Sequence, residues 1–232
     1  MAVPREIVGT AGLGRRPQLS DEVATYIREL IMSGQVRQGE FLRLEKVASD
    51  LGISATPVRE ALLSLRGEGF VHLEPRRGFV VASLSRQDVE DLFFVQASIA
   101  AELAARSAER ISPGDLDELE GLQEGMAKAA EGNDVDAIED HNHRFHRVLN
   151  VAADSPKLTW MLGTVVRYAP RRFYGTIQGW IEASLEDHRI ILAALRAKDA
   201  DAARKAMHEH IVHAGDLLVS HLEDQGFWRK AS

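Results

Sequence analysis

The chain contains no cysteine, so it can build neither a disulfide framework nor a thiolate nucleophile, and a reducing compartment suits it. It has no stretch of the roughly 18 uncharged apolar residues that would mark a membrane-spanning helix. The opening residues, MAVPREIVGTAGLGRRP, lack the apolar core of an export signal. No internal repeat or low-complexity tract is visible. These absences lead to the expectation of a cytoplasmic globular protein without a membrane partner. Hydrophobic residues at 45% and charged residues at 27% are the proportions of a chain with a real core. A length of 232 residues allows one large domain or two ordinary ones.

A net charge of −7 taken alone argues against nucleic acid, but the charge is unevenly spread. Residues 1–83 carry 11 Lys+Arg against 10 Asp+Glu, whereas the rest carries 17 against 25. Eight of the nine histidines fall between His141 and His221. Two parts with different electrostatics suggest two jobs.

In the first part, SDEVATYIRELIMS (20–33) places Val23, Ile27, Leu30 and Ile31 at helical spacing, with Ser20 as the expected N-cap and Gly34 as the stop. A second short helix at about 44–51 ends at Gly52. In ISATPVREALLSLRGEGF, Thr56 reads as N-cap and Pro57 as the first helical residue. Val58, Ala61, Leu62 and Leu65 form the buried stripe, leaving Arg59, Leu63 and Arg66 outward. A cation in a helix's first turn opposes the macrodipole. Arg59 is therefore better explained by an anionic partner outside the chain. Two helices joined by a Gly-containing turn make a helix-turn-helix. The run VHLEPRRGFVV then predicts a β-hairpin with Arg76 and Arg77 at its tip. The sum is a winged helix, whose second helix enters the major groove and whose arginine can fork onto guanine or phosphate.

The run from Leu44 through V47-A48, L51-G52-I53-S54, T56-P57-V58-R59-E60-A61-L62, E68-G69-F70-V71 and P75-x-R77-G78 resembles the GntR family of bacterial transcription regulators. The resemblance implies operator contacts from Ser54, Thr56 and Arg59, assisted by Arg43 and the Arg76–Arg77–Gly78 wing tip. The family's usual arginine between the serine and threonine is Ala55 here, which implies one contact fewer. Residues 1–17 are expected to be a flexible arm, in which Arg5, Arg15 and Arg16 can add nonspecific phosphate contacts.

After Ser85 the strand signal fades and helical periodicity takes over. Helices are expected at about 85–110, 115–131, 134–152, 156–169, 177–197 and 199–224, punctuated by Pro, Gly and capping residues. The fold class is thus mostly α: an N-terminal winged helix-turn-helix at 18–82, a C-terminal all-α six-helix bundle at 84–224, and a tail at 225–232. Within the bundle, His146 lies beside the face of Ile138, Asn142, Phe145 and Leu149. His188 stacks with Leu192 and Leu195, and His210 with Ala206, Met207 and Leu217. Three helices each aim one imidazole inward, and Asn142 lies one turn before His146. Histidine nitrogens plus an oxygen on facing helices are how bundles hold metal ions. The bland alternative is three packed core histidines.

This segment resembles the FCD effector domain of the FadR subfamily of GntR regulators, in its VanR-like branch. The matching pieces are N142-x-x-x-H146, E186-D187-H188-R189-I190-I191-L192-A193-A194-L195 with D199, A202 and A203, and M207-x-x-H210. The resemblance implies a divalent metal, zinc or nickel, held by Asn142, His146, His188 and His210. Asn142 stands where the family has aspartate, so the ligands are all neutral, which implies weaker metal binding and a stronger pull on an anion. The family also usually has arginine near position 96, where this chain has Gln96. A small carboxylate effector is implied. Arg171 and Arg172, walled by Tyr168, Phe173 and Tyr174, are candidates to clamp it, with Arg147 a further one. The expected protein is a homodimeric regulator, by family habit a repressor, released from a pseudo-palindromic operator by its effector. The alternative from another class is a metal-dependent enzyme activating water at a three-histidine site, with Asp187 and Glu186 beside His188.

Overall fold

The structure, a computed structural model, describes residues 19–168, 174–175 and 177–228. The described residues divide into two compact units, one formed by Leu19–Ile27 with Gly39–Ala82 and the other by Arg28–Gln38 with those from Ser83 onward.

The first unit takes the Leu19–Ile27 part of α1 (Leu19–Met32), where Val23, Ala24 and Ile27 are buried. Ser20 lies inside α1 and does not cap it, because Leu19 is already helical. α2 (Leu44–Leu51) ends at Gly52, whose φ of 65° only glycine adopts without strain. The Gly52 N–H then bonds to the Ser49 carbonyl and the Ile53 N–H to that of Ala48, turning the chain into the next helix. That helix, α3, spans Ala55–Gly67 with Ser54 at the N-cap, two residues earlier than the Thr56 cap read from the sequence. Pro57 is consequently third in the helix and not first. It still forfeits nothing, since the first four helical N–H groups have no partner within the helix. Val58, Ala61, Leu62 and Leu65 are fully buried, and Arg59, Leu63 and Arg66 are exposed, as the periodicity requires.

The hairpin forms from β2 (Val71–Glu74) and β3 (Gly78–Val81), antiparallel with Glu74 opposite Gly78. A third strand not foreseen, β1 (Phe41–Leu42), pairs with β3 on its other edge, giving the order β1-β3-β2.

The second unit holds six α-helices among the described residues: α4 (Arg86–Arg110), α5 (Pro113–Glu131), α6 (Val135–Ala152), α7 (Pro156–Val165), α8 (Trp180–Arg196) and α9 (Ala200–Asp224). Serine–aspartate capping boxes start α4 (Ser85, Asp88) and α5 (Ser112, Asp115), so α5 begins at Pro113 and not at 115. α7 stops at Val165 and tightens into a 3-10 turn over Val166–Tyr168. α8 starts at Trp180, three residues after the expected point, because Gly179 turns left-handed at φ 81°. α4 and α9 pack closely: a Cβ on Gly215 would stand 2.7 Å from Cγ of Phe93. Leu103, Leu119, Met126, Ile138, Phe145, Leu149, Ile191 and Leu195 fill the core. At the α4 start, the Leu84 carbonyl accepts hydrogen bonds from Trp228 Nε1 at 2.8 Å and from Gln38 Nε2 at 3.1 Å.

Candidate nucleic-acid interface and histidine cluster

On the first unit, the start of α3 presents Ser54, Thr56 and Arg59, all exposed. The Ser54 hydroxyl makes no capping bond to the helix it precedes. Orphan N–H groups and the positive end of the dipole make this helix terminus attractive to a phosphate. Arg43, at the N-cap of α2, is exposed as well. The wing tip treats its two arginines differently. Arg76 takes a left-handed φ of 65° and is exposed. Arg77 lies over the Phe41 ring at 4.8 Å and meets Glu74 at 3.4 Å, so strand β1 has a part in holding it. Gly78, at φ 104°, provides the turn that brings the tip round.

On the second unit, α6, α8 and α9 bring His146, His188 and His210 together, with one ring nitrogen from each all within 4.8 Å of one another. His146 Nε2 and His210 Nε2 are 3.2 Å apart, and the ring centroids lie 5.0, 5.1 and 5.3 Å from one another. His188 has no exposed surface and His210 has 3%. Burial, reinforced by neighbouring imidazoles, pushes His146 down to about 3 and His188 well below its ordinary value. His146 and His188 are therefore neutral imidazoles, the form that binds metal.

Other side chains reach the cluster from behind. His188 Nδ1 lies 3.1 Å from Gln123 Oε1, on α5. His210 Nδ1 lies 3.3 Å from Asp187 Oδ2, and the half-exposed His213 shares that same oxygen at 3.3 Å. Burial by itself would raise Asp187, but hydrogen bonds and charge from His210 and His213 outweigh it and hold the carboxylate below its usual range. Asp187 at the back of His210 is the carboxylate–imidazole pairing that fixes ring orientation in metal sites.

Among the buried polar atoms without a hydrogen-bond partner in the described residues are His188 Nε2, in the cluster, and Asn142 Oδ1, one turn before His146 on α6. Leaving such atoms unpaired costs about 1–3 kcal/mol each. A divalent cation satisfies both kinds of donor, so the residues present fit a metal of the zinc or nickel type.

Of the proposed carboxylate clamp, Arg171 and Arg172 lie outside the described residues, as does Phe173. Arg147 is exposed on α6 and does not join the cluster. Tyr174 is half-buried, its ring 5.4 Å from that of Trp180, and burial followed by the charge of Glu139 raises its phenol. Sequence reading missed Gln123. Its signal was a polar side chain inside the buried stripe Leu119, Leu122, Met126.

A winged helix followed by an all-α unit points to a DNA-binding regulator of two parts. Comparison with known proteins gives the family. Residues 19–81 match the model of the bacterial regulatory proteins of the gntR family, and residues 91–213 match that of the FCD domain. The chain belongs to the GntR family of transcription regulators, with a C-terminal FCD domain. It is 27% identical over 202 residues to the HTH-type transcriptional regulator McbR of Escherichia coli, spanning 85% of this chain and 91% of that protein. It is 25% identical over 215 residues to the E. coli HTH-type transcriptional repressor RspR, spanning 90% and 93%. The solved structure of E. coli McbR/YncC superposes with a TM-score of 0.69 at 26% identity, covering 89% of this chain and 99% of that one. The family and these relatives are transcription regulators, not enzymes, so the metalloenzyme alternative falls. No helix among the described residues is long and apolar enough to cross a membrane.

Proposed function

We propose that this regulator is a cytoplasmic homodimeric repressor whose DNA binding is controlled by a small carboxylate captured at a metal ion in the helical unit. The observation carrying this reading is the convergence of His146, His188 and His210 from three helices, with His188 Nε2 buried and unpartnered among the described residues. Asn142, His146, His188 and His210 would hold the ion, and the ion would supply a Lewis-acidic centre for a carboxylate oxygen. All four ligands are neutral, so the bound ion keeps about two units of positive charge, which favours an anionic effector.

The chain's own residues do the rest. Asp187 keeps the His210 ring turned toward the cluster. α8 and α9 each carry a ligand, so a change in coordination acts directly on the relative placement of two helices. Ser54, Thr56 and Arg59 on α3 read the operator half-site, with Arg43, Arg76, Arg77 and Gly78 steadying the wing and backbone contacts. Two such α3 helices in a homodimer match a pseudo-palindrome. An effector releases the operator only to the extent that it binds the DNA-incompetent arrangement more tightly.

The test is elemental analysis and equilibrium dialysis of the purified protein with Zn²⁺ and Ni²⁺. About one ion per chain, lost in His188→Ala and His210→Ala, is the expected result. Undiminished binding in both variants would refute the assignment.

A further inference from the structure

We propose that Gln123 is the positioning residue that makes His188 a ligand, by fixing its tautomer; this rests on the metal reading above. Gln123 is on α5, a helix that provides none of the inferred ligands, and is itself 8% exposed. Its amide Nε2 donates to the Leu185 carbonyl at 2.8 Å, and its Oε1 lies 3.1 Å from His188 Nδ1.

Those two contacts leave one consistent arrangement of hydrogens. A flipped amide would set Oε1 against the Leu185 carbonyl, two acceptors facing each other, and would leave a buried N–H unused. With Oε1 toward the ring, His188 Nδ1 must carry the hydrogen and donate it. The proton-free nitrogen is then Nε2, the buried atom that has no partner among the described residues. The opposite tautomer would aim an N–H into the cluster and set the Nδ1 lone pair against Oε1. Phe145 holds the ring plane by stacking on it, centroids 4.0 Å apart and planes 5° from parallel. The backbone carbonyl of Leu185, one turn before His188 on the same helix, thus sets the amide, and the amide sets the imidazole.

The two outer partners differ in kind. His210 is backed by a carboxylate, Asp187, whereas His188 is backed by a neutral amide. Gln123 can therefore contribute direction but no charge. Direction counts for more where the inferred ligands carry no carboxylate.

The experiment uses the full-length metal-free protein, labelled with ¹⁵N, and reads the His188 tautomer from long-range proton–nitrogen correlations. Zn²⁺ affinity is measured alongside by competition with a chromophoric chelator. Gln123→Met removes the acceptor at nearly constant volume. Gln123→Glu keeps an acceptor facing Nδ1 but gives up the donor to the Leu185 carbonyl, and so separates loss of the acceptor from loss of the amide's own anchor. We expect the Nδ1–H form in the wild type and in Gln123→Glu. Gln123→Met should give mixed tautomers and Zn²⁺ binding about 10–100-fold weaker. A wild-type His188 in the Nε2–H form, or a Gln123→Met variant with wild-type tautomer and affinity, overturns the proposal while leaving metal binding intact. A wild type that binds no Zn²⁺ overturns the metal reading and the ligand role together, and the apoprotein tautomer still decides whether Gln123 orients the ring.

Discussion

Single side chains decide most at the histidine cluster and at the start of α3. In the folded protein His146 is held at about 3 and His188 far below its ordinary value, so the folded state binds fewer protons than the unfolded chain on acidification. The sign follows: the contribution is complete above the ordinary histidine value of about 6.5 and drains away as pH falls from there toward 3. Each group costs up to about 1.4 kcal/mol per pH unit in that window. Urea unfolding of chelator-treated protein should show a lower midpoint at pH 5.5 than at pH 7.5, and equal midpoints would contradict the burial of neutral rings. At the DNA surface, Arg59→Ala should weaken specific operator binding by roughly 1–3 kcal/mol, measured by fluorescence anisotropy against a scrambled duplex. The inward histidines were legible because 3.6-residue periodicity places each on an apolar face. Gln123 and the Asp187–His213 contact were not, because helical period tells which face a residue takes but not which neighbour it meets across 65 or 26 positions of chain.

Elements were read well where punctuation residues act locally, and less well where termini compete. All six helices of the second unit were expected, because Ser112-Pro113, Ser155-Pro156 and Asp199 each mark a start by chemistry confined to one turn. The two-residue strand β1 escaped because Phe41–Leu42 is too short to display a period, and it exists only through pairing with β3. The α3 start was misplaced because Ser54 and Thr56 are both good caps, and periodicity does not choose between them. That difference has a measurable consequence. Ser85 caps α4 through a true capping box, with Asp88 held below its usual carboxylate range mainly by the Ser85 hydroxyl. Ser85→Ala should therefore cost about 1 kcal/mol in chemical unfolding. Ser54 makes no such bond. Ser54→Ala should leave stability within about 0.5 kcal/mol of wild type while weakening DNA binding. A Ser54→Ala loss as large as that of Ser85→Ala would mean that the hydroxyl serves the helix and not the operator.

At the scale of the whole molecule, the split of charge and histidine along the chain already marks two parts, and each of the two family models matches one of them. The cluster in the second part rests on placement that no local pattern contains: α6, α8 and α9 must be neighbours before three histidines become one site. A dimer is required if one protein is to cover both halves of a palindrome, and sedimentation equilibrium should return twice the 25.7 kDa chain mass. A monomer at micromolar concentration, with or without DNA, would contradict that arrangement. The most direct test of the account joins its two ends. Operator fragments selected by the purified protein are titrated by fluorescence anisotropy, with small carboxylates added to metal-loaded wild type, metal-stripped wild type and His188→Ala. The account predicts that a carboxylate weakens operator binding of the metal-loaded protein alone. Equal release from all three would contradict it.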